Sequence, residues 1–189
     1  MDSLSFPRQT TAVMFIDMQN SIAGHEQFHP VVKQCQRLLE TARAHRVPVV
    51  FVHVRPYDHV KHSMRGEAQA LLSRPGANPA DPHAFDIIGA LPVLPEDHVV
   101  TKHVRSAFTG TEMDHLLRAM AVSHVVIGGI ATNIGVESTV RVGADLGYNF
   151  TVVEDACAAM TPEAHLAAIT YSLPYFARIA KLADLQFRD

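Results

Sequence analysis

A run of β-branched residues, Val125-Val126-Ile127, breaks at the glycine pair Gly128-Gly129. The chain then passes directly into Ile130-Ala131-Thr132-Asn133-Ile134-Gly135-Val136-Glu137-Ser138-Thr139-Val140-Arg141, a segment of helical character. This reads as a buried strand feeding the N-terminus of a helix. Free N–H groups and the helix dipole favour a bound anion at such a junction.

The same alternation recurs along the chain. Strands are expected at Thr11–Asp17, Pro48–Val54, Val99–Lys102, His124–Gly129, Phe150–Glu154 and Ala177–Ala180. Helices are expected at Val31–Arg46, Gly66–Leu72, Thr111–Met120, Asn133–Leu146 and Pro162–Leu173. In the first helix Val31, Cys35, Leu38, Leu39 and Ala42 repeat at helical spacing and form one buried stripe. Thr161-Pro162-Glu163 reads as an N-cap, a first-turn proline and an early acid. Near-continuous apolar strands alternating with helices predict an α/β fold, a three-layer doubly wound sheet of six parallel strands with helices on both faces. With 189 residues, 48% of them hydrophobic and 19% charged, the chain suits one domain spanning 1–189. Residues 55–97, rich in proline, glycine and polar side chains, are expected to cross the sheet's carboxyl edge.

Charge and cysteine content exclude several classes. Net charge is −3 with histidine neutral, and the charges of both signs are scattered, so neither nucleic acid nor an anionic membrane surface is expected as a partner. No apolar run approaches the roughly 20 residues of a membrane span, and neither a membrane segment nor a leader is expected. Two cysteines, Cys35 and Cys157, make no disulfide framework and suit a reducing, cytoplasmic setting.

In open parallel sheets ligands bind at the carboxyl ends of the strands. Three features converge there: Asp17 after Val13-Met14-Phe15-Ile16, Lys102 at the end of Val99-Val100-Thr101, and the Gly129–Gly135 turn. A charged residue after an apolar strand is ordinarily a solvated strand end. An acid and a lysine at the same edge as a helix N-terminus make a candidate catalytic pair.

The stretch Gly129–Thr139 resembles the nucleophile loop of the isochorismatase-like hydrolase superfamily, Gly-Ile/Val-Ala-Thr-Asn-Val-Cys-Val-Glu-Ser-Thr. Phe15-Ile16-Asp17-Met18-Gln19 resembles its first motif and Val100–Thr111 its lysine motif. Glu154-Asp155-Ala156-Cys157 and the region Glu163 to His165 resemble its C-terminal motifs. The resemblance covers almost the whole chain. It implies that Asp17 is the catalytic acid/base and that Lys102 steers carboxylates and anionic intermediates. It further implies a non-proline cis peptide between Ile130 and Ala131, and oxyanion donors at the backbone N–H groups of Ala131 and Gly135. Gly135 stands where most of the superfamily has its catalytic cysteine, so the covalent acyl-enzyme route has no evident start. Ile130, Ala131, Asn133, Arg55, Arg105 and Phe108 are expected around the substrate. The resemblance also implies a homo-oligomer.

Other patterns carry less. His25-Glu26-Gln27-Phe28-His29 matches a zinc-protease motif, but Gly24 precedes it and Pro30 follows it, and the proline is expected to push His29 out of helical geometry. His53, His59 and His62 lack the Asp-x-His spacing of the nicotinamidase metal site, since Arg55 stands two residues after His53. Neither a metal nor any other cofactor is expected. Cys157, after Asp155 at a strand end, reads as a packed thiol rather than a displaced nucleophile.

Two functions remain. The first is a hydrolase acting on a small carboxylate-bearing molecule through Asp17, Lys102 and water. The superfamily's vinyl-ether hydrolases also lack the cysteine, and their acid protonates an enol-pyruvyl group. They usually read Tyr-Ala-His around the loop, where this chain has Ile130-Ala131-Thr132-Asn133. Lys102, Arg55, Arg65 and Arg105 are candidate carboxylate partners. The second is a non-catalytic or vestigial homo-oligomer that binds a small acid or only assembles with itself, against which the retention of a buried Asp17–Lys102 pair weighs.

Overall fold

The computed structural model describes residues 4–55 and 81–189. Within it the elements run β1 (Leu4–Pro7), β2 (Thr11–Ile16), α1 (Asn20–Ala23), α2 (His29–Ala44), β3 (Val49–Val54), β4 (His98–Lys102), α3 (Met113–Ala119), β5 (His124–Ile130), α4 (Glu137–Asp145), β6 (Asn149–Ala158), α5 (Pro162–Ala167), β7 (Arg178–Ala180) and β8 (Leu185–Arg188). The main sheet has six strands in the order β4-β3-β2-β5-β6-β7, all paired in parallel, as the alternation of apolar strands and helices predicts.

Period-two side-chain alternation divides the interior into two cores. Along β2, Val13 and Phe15 face the core closed by Val31, Cys35, Leu38, Leu39 and Ala42 of α2. Ala12, Met14 and Ile16 face the opposite core, closed by Met113 and Leu117 of α3, Val140 of α4 and the Ala168–Leu173 segment. All six residues of β2 are buried, which is why it reads as an unbroken apolar run.

From β2 the chain builds outward through β3 and β4, then returns across α3 to place β5 on the other side of β2. The strand order therefore reverses between β2 and β5, and the crevice outside their carboxyl ends is the expected ligand position. Gly129 is obligatory at this junction. Its φ is +131°, and a Cβ there would lie 2.2 Å from the Ile16 carbonyl oxygen.

Several elements depart from expectation. A second, two-stranded parallel sheet pairs β1 with β8, with Phe6 and Phe187 at 6.3 Å. β6 runs to Ala158, beyond the expected Glu154. The register with β5 shifts between Ile127 and Gly129, so that Ile127 faces Val152 while Gly129 faces Cys157. The expected helix Asn133–Leu146 opens as a π turn over Thr132–Val136, closed by the Val136 N–H on the Ala131 carbonyl at 3.2 Å, before α4 proper. The expected helix Pro162–Leu173 likewise changes to a π turn at Ala168.

The described part of the 55–97 excursion does lie over the carboxyl edge. Ile88 N–H donates to the Met18 carbonyl at 2.8 Å and Asn20 N–H to that of Asp86 at 3.0 Å. The expected helix Gly66–Leu72, with His59, His62 and Arg65, falls outside the described residues. The zinc-protease pattern fails at the other histidine from the one expected. His29 has φ −53° and ψ −40° and starts α2, because Pro30 sits in the first turn where its missing N–H costs nothing. His25, at ψ 139°, is extended, so the two rings do not share a helical face. Among the described residues no three of His, Cys, Asp and Glu converge on a metal-sized site. No helix among them is long and apolar enough to cross a membrane.

Candidate active site

Asp17 leaves β2 with φ +53°, a conformation uncommon for a residue with a side chain. Its N–H is held by the Val52 carbonyl at 2.9 Å, and Gln19 anchors the turn beyond it. The fully buried Gln19 amide donates to the carbonyls of Val54 and Phe85, both at 3.1 Å, and accepts from Val54 N–H at 2.8 Å. These bonds fix the carboxylate over the carboxyl end of β2.

Lys102, the last residue of β4, reaches back across β3. Its Nζ stands 2.8 Å from Asp17 Oδ2 and donates to the Arg105 carbonyl at 2.7 Å. Relative exposure is 1% for Lys102 and 6% for Asp17, so the pair is screened from solvent. Burial pushes the Asp17 carboxyl above the usual carboxylate range, and Lys102 opposes that rise by charge and by hydrogen bonding. Asp17 Oδ1 is buried without a hydrogen-bond partner among the described residues. A buried carboxylate oxygen with an unused lone pair is suited to take or deliver a proton.

The third component comes from β5. The Ile130–Ala131 peptide is cis, and the π turn that follows carries Gly135 against the pair. A Cβ on Gly135 would lie 2.9 Å from Asp17 Oδ2 and 3.2 Å from Lys102 Nζ. Single-turn π bulges are frequent at functional sites. Gly135 does not occupy the left-handed region, so its backbone is open to other residues, and the glycine leaves room beside the two charges.

The other expected site residues divide. Ile130 and Ala131 are buried beside the turn, and Asn133 is exposed on its outer side. Arg55 follows β3 at the same edge and pairs with Asp86 at 3.0 Å. Arg105 is half-buried and contributes its carbonyl to Lys102. Phe108 departs from expectation. Its ring packs at 5.5 Å on Tyr148 and 6.5 Å on Phe150, at the amino end of β6, and is part of the core under α4. Its apolar bulk finds more to cover there than at the sheet's opposite edge.

Three supporting residues were not singled out by sequence. Gln19 is one. Thr132, fully buried, pairs its hydroxyl with His165 Nδ1 at 2.8 Å, and burial lowers the pKa of that ring. Thr139 bonds the Gly135 carbonyl at 2.7 Å. Gln19, Thr132, Thr139 and His165 all lie within the quoted motifs, and Thr139 stands one helical turn after Gly135. His53 is occupied by Thr101 Oγ1 at 2.7 Å and the Phe85 carbonyl at 3.1 Å. Both thiols are buried. Cys157 is pushed up to about 12 by desolvation, and Cys35, donating to the Ala156 carbonyl at 3.3 Å, is held well above the ordinary thiol value by the same cause. Neither is a thiolate near neutral pH.

Comparison with known proteins agrees with this fold. Residues 11–184 match the isochorismatase domain. An uncharacterized isochorismatase family protein of Bacillus subtilis, YwoC, is 33% identical over 92% of this chain and 91% of its own length. The ureidoacrylate amidohydrolase RutB of Pantoea ananatis is 29% identical over 93% of this chain and 80% of its own. A solved isochorismatase family protein from Burkholderia thailandensis superposes with a TM-score of 0.78 at 36% identity, covering 94% of both chains. With a matching domain over nearly its whole length and the fold of a solved member, the chain belongs to the isochorismatase family.

Proposed function

We propose that this isochorismatase-family hydrolase acts on a small carboxylate-bearing molecule by Asp17-mediated proton transfer and water attack, without a protein nucleophile. The observation that carries this reading is the position of Gly135. The Asp17 carboxylate and the Lys102 ammonium converge within contact of its missing Cβ, so the reactive charges are present and an attacking side chain is not. Asp17, with its raised pKa, is partly protonated closer to neutrality than an ordinary carboxyl, as a general acid requires. Water takes the nucleophile's place, and Lys102, 2.8 Å away, stabilises the carboxylate that Asp17 becomes as it gives up its proton. An enol-pyruvyl ether meets these terms, because its protonation generates a cation that water captures. A small amide or ureide, the class in the name of the Pantoea relative, demands more of the water.

Arg105 and Lys102 are the proposed carboxylate partners, with the N–H groups of Ala131 and Gly135 as anion donors. Exposed Leu166 on α5, with Tyr171 and Tyr175 on the segment after it, supports a homo-oligomer. The buried free thiols suit a reducing, cytoplasmic compartment.

The test is a turnover screen that sets carboxylated vinyl ethers beside small amides and ureides, followed by mass spectrometry, with Asp17→Asn as the control. The expected result is turnover of one class, reduced at least about 100-fold by Asp17→Asn. Turnover unchanged in Asp17→Asn would refute the reading. So would a ligand that raises Tm equally in both proteins while no substrate of either class is consumed, an outcome that favours the binding-only alternative.

A further inference from the structure

Thr139 is fully buried, one helical turn after Gly135. Its hydroxyl donates to the Gly135 carbonyl at 2.7 Å, an ordinary habit of threonine inside helices that by itself signifies nothing. The same oxygen, however, accepts a hydrogen bond from Ala107 N–H at 3.0 Å, 32 residues away in the loop after β4. Ala107 is itself fully buried, two residues beyond Arg105. The Arg105 carbonyl, in turn, is the acceptor that fixes Lys102 Nζ at 2.7 Å.

These contacts close a ring. From Gly135 the path runs through the Thr139 hydroxyl to Ala107, back along the chain to the Arg105 carbonyl, and across to Lys102. Lys102 meets Asp17 at 2.8 Å, and both stand within contact of a Cβ on Gly135. The π turn and the lysine loop come from different strands, so each can shift without the other unless something ties them. Among the described residues, Thr139 makes the hydrogen bond that joins one to the other.

We propose that Thr139 is a positioning residue. Its hydroxyl locks the lysine loop to the turn bearing Gly135 and thereby holds the Lys102 ammonium on the Asp17 carboxylate. The inference rests on reading Asp17 and Lys102 as the reactive pair. Thr139 touches neither reacting group, so its effect must pass through the loop to the separation of the two charges. Loss of the hydroxyl leaves Ala107 N–H and the Gly135 carbonyl without that buried partner. The loop then relaxes, and Lys102 pulls less strongly on Asp17.

The experiment is a carbon-13 carboxyl titration of Asp17, its signal assigned by loss in Asp17→Asn, in the parent protein, Thr139→Ser, Thr139→Val and Thr139→Ala, with thermal melting alongside. Serine keeps the hydroxyl, and valine keeps the shape without it. The expected result is a parental midpoint in Thr139→Ser and a midpoint raised by about one unit in Thr139→Val and Thr139→Ala, because less of the lysine's pull remains. Parental midpoints in both hydroxyl-free variants overturn the proposal, as does a Thr139→Ser shift as large as that of valine. Failure of both hydroxyl-free variants to fold, with serine folded, overturns it as well, since the hydroxyl would then serve the fold and not the pair. The titration needs no substrate. A failed turnover screen therefore sinks the hydrolase reading without touching this result, and a flat titration sinks the positioning role without touching the screen.

Discussion

Gly135→Cys tests the site geometry most directly. The new Cβ enters contacts of 2.9 Å with Asp17 Oδ2, 2.9 Å with Ile16 Cγ2 and 3.2 Å with Lys102 Nζ. Each must open by a few tenths of an ångström, which for a modest overpacking costs about 1–3 kcal/mol. No left-handed φ adds to that cost, and glycine's entropic penalty in a helical turn returns up to about 1 kcal/mol. The variant is therefore expected to fold, with Gly135→Ala reporting the steric part alone.

The Lys102 ammonium and the start of α4 pull the new thiol's pKa down, while burial and Asp17 push it up. With those influences offsetting, the thiol sits near its ordinary value of about 8.5, against about 12 for Cys157. A gap of about 3.5 units is a factor of about 3,000 in thiolate population, of which the lower basicity of the thiolate takes back a little under half on a logarithmic scale. The introduced thiol should therefore react with iodoacetamide about 100-fold faster than Cys157 at neutral pH, and faster than the buried Cys35. Peptide mapping of the folded variant by mass spectrometry measures the ratio. Labelling at position 135 no faster than at Cys157 would falsify the placement of Gly135 beside the two charges.

Other perturbations follow from the same geometry. Lys102→Met leaves Asp17 buried without its counter-charge, so stability should fall by about 3–5 kcal/mol at pH 8 and by less as pH falls and the carboxyl takes up its proton, as urea melts at pH 8 and pH 4 would reveal. His124, lowered to about 4 by burial and by Arg178, stays neutral in the fold below the pH at which it protonates in the unfolded chain. The unfolded state then binds more protons between about pH 6.5 and 4, so stability should drop by about 2 kcal/mol as pH falls through that window. His124→Gln should flatten the drop, and an unchanged slope would count against the assignment. Gly129→Ala places a Cβ 2.2 Å from the Ile16 carbonyl at φ +131°, so it should lose more than about 4 kcal/mol or fail to accumulate as soluble protein. A normal Tm would contradict the close approach of β2 and β5.

The central sheet was legible because its strands are buried on both faces and therefore read as unbroken apolar runs, β2 above all. The β1–β8 ribbon was not, because four-residue strands such as Leu4–Pro7 carry too short a pattern to separate from loop. The π turns at Thr132 and Ala168 escaped for another reason. Side-chain periodicity over five residues distinguishes poorly between π and α winding, and it is the i+5 bond from Val136 to Ala131 that makes the difference. His29 corrects a local rule. The bias of a residue before proline against helical φ and ψ yields at a helix start, where the proline's ring has no preceding turn to strike.

At the site, the positions of Asp17, Lys102 and Gly135 could be read from where strands end, because a parallel sheet delivers every strand terminus to one edge. What they do to one another could not. Asp17 Oδ1, without a partner among the described residues, and the raised pKa it accompanies depend on which atoms fill the space around it, and no linear pattern encodes such an arrangement. Phe108 illustrates the converse, since the resemblance of its motif put it at the site while Tyr148 and Phe150 drew its ring into the core. The glycine joins the two lessons. A side chain at 135 would meet both members of the Asp17–Lys102 pair within 3.2 Å. The two charges have closed to 2.8 Å in a space that cannot also hold a thiol without their moving. A chain that keeps an acid and a lysine this deeply buried beside a position without a side chain bears their desolvation cost continuously. Proton transfer to a substrate that enters that position is the use we propose for the arrangement.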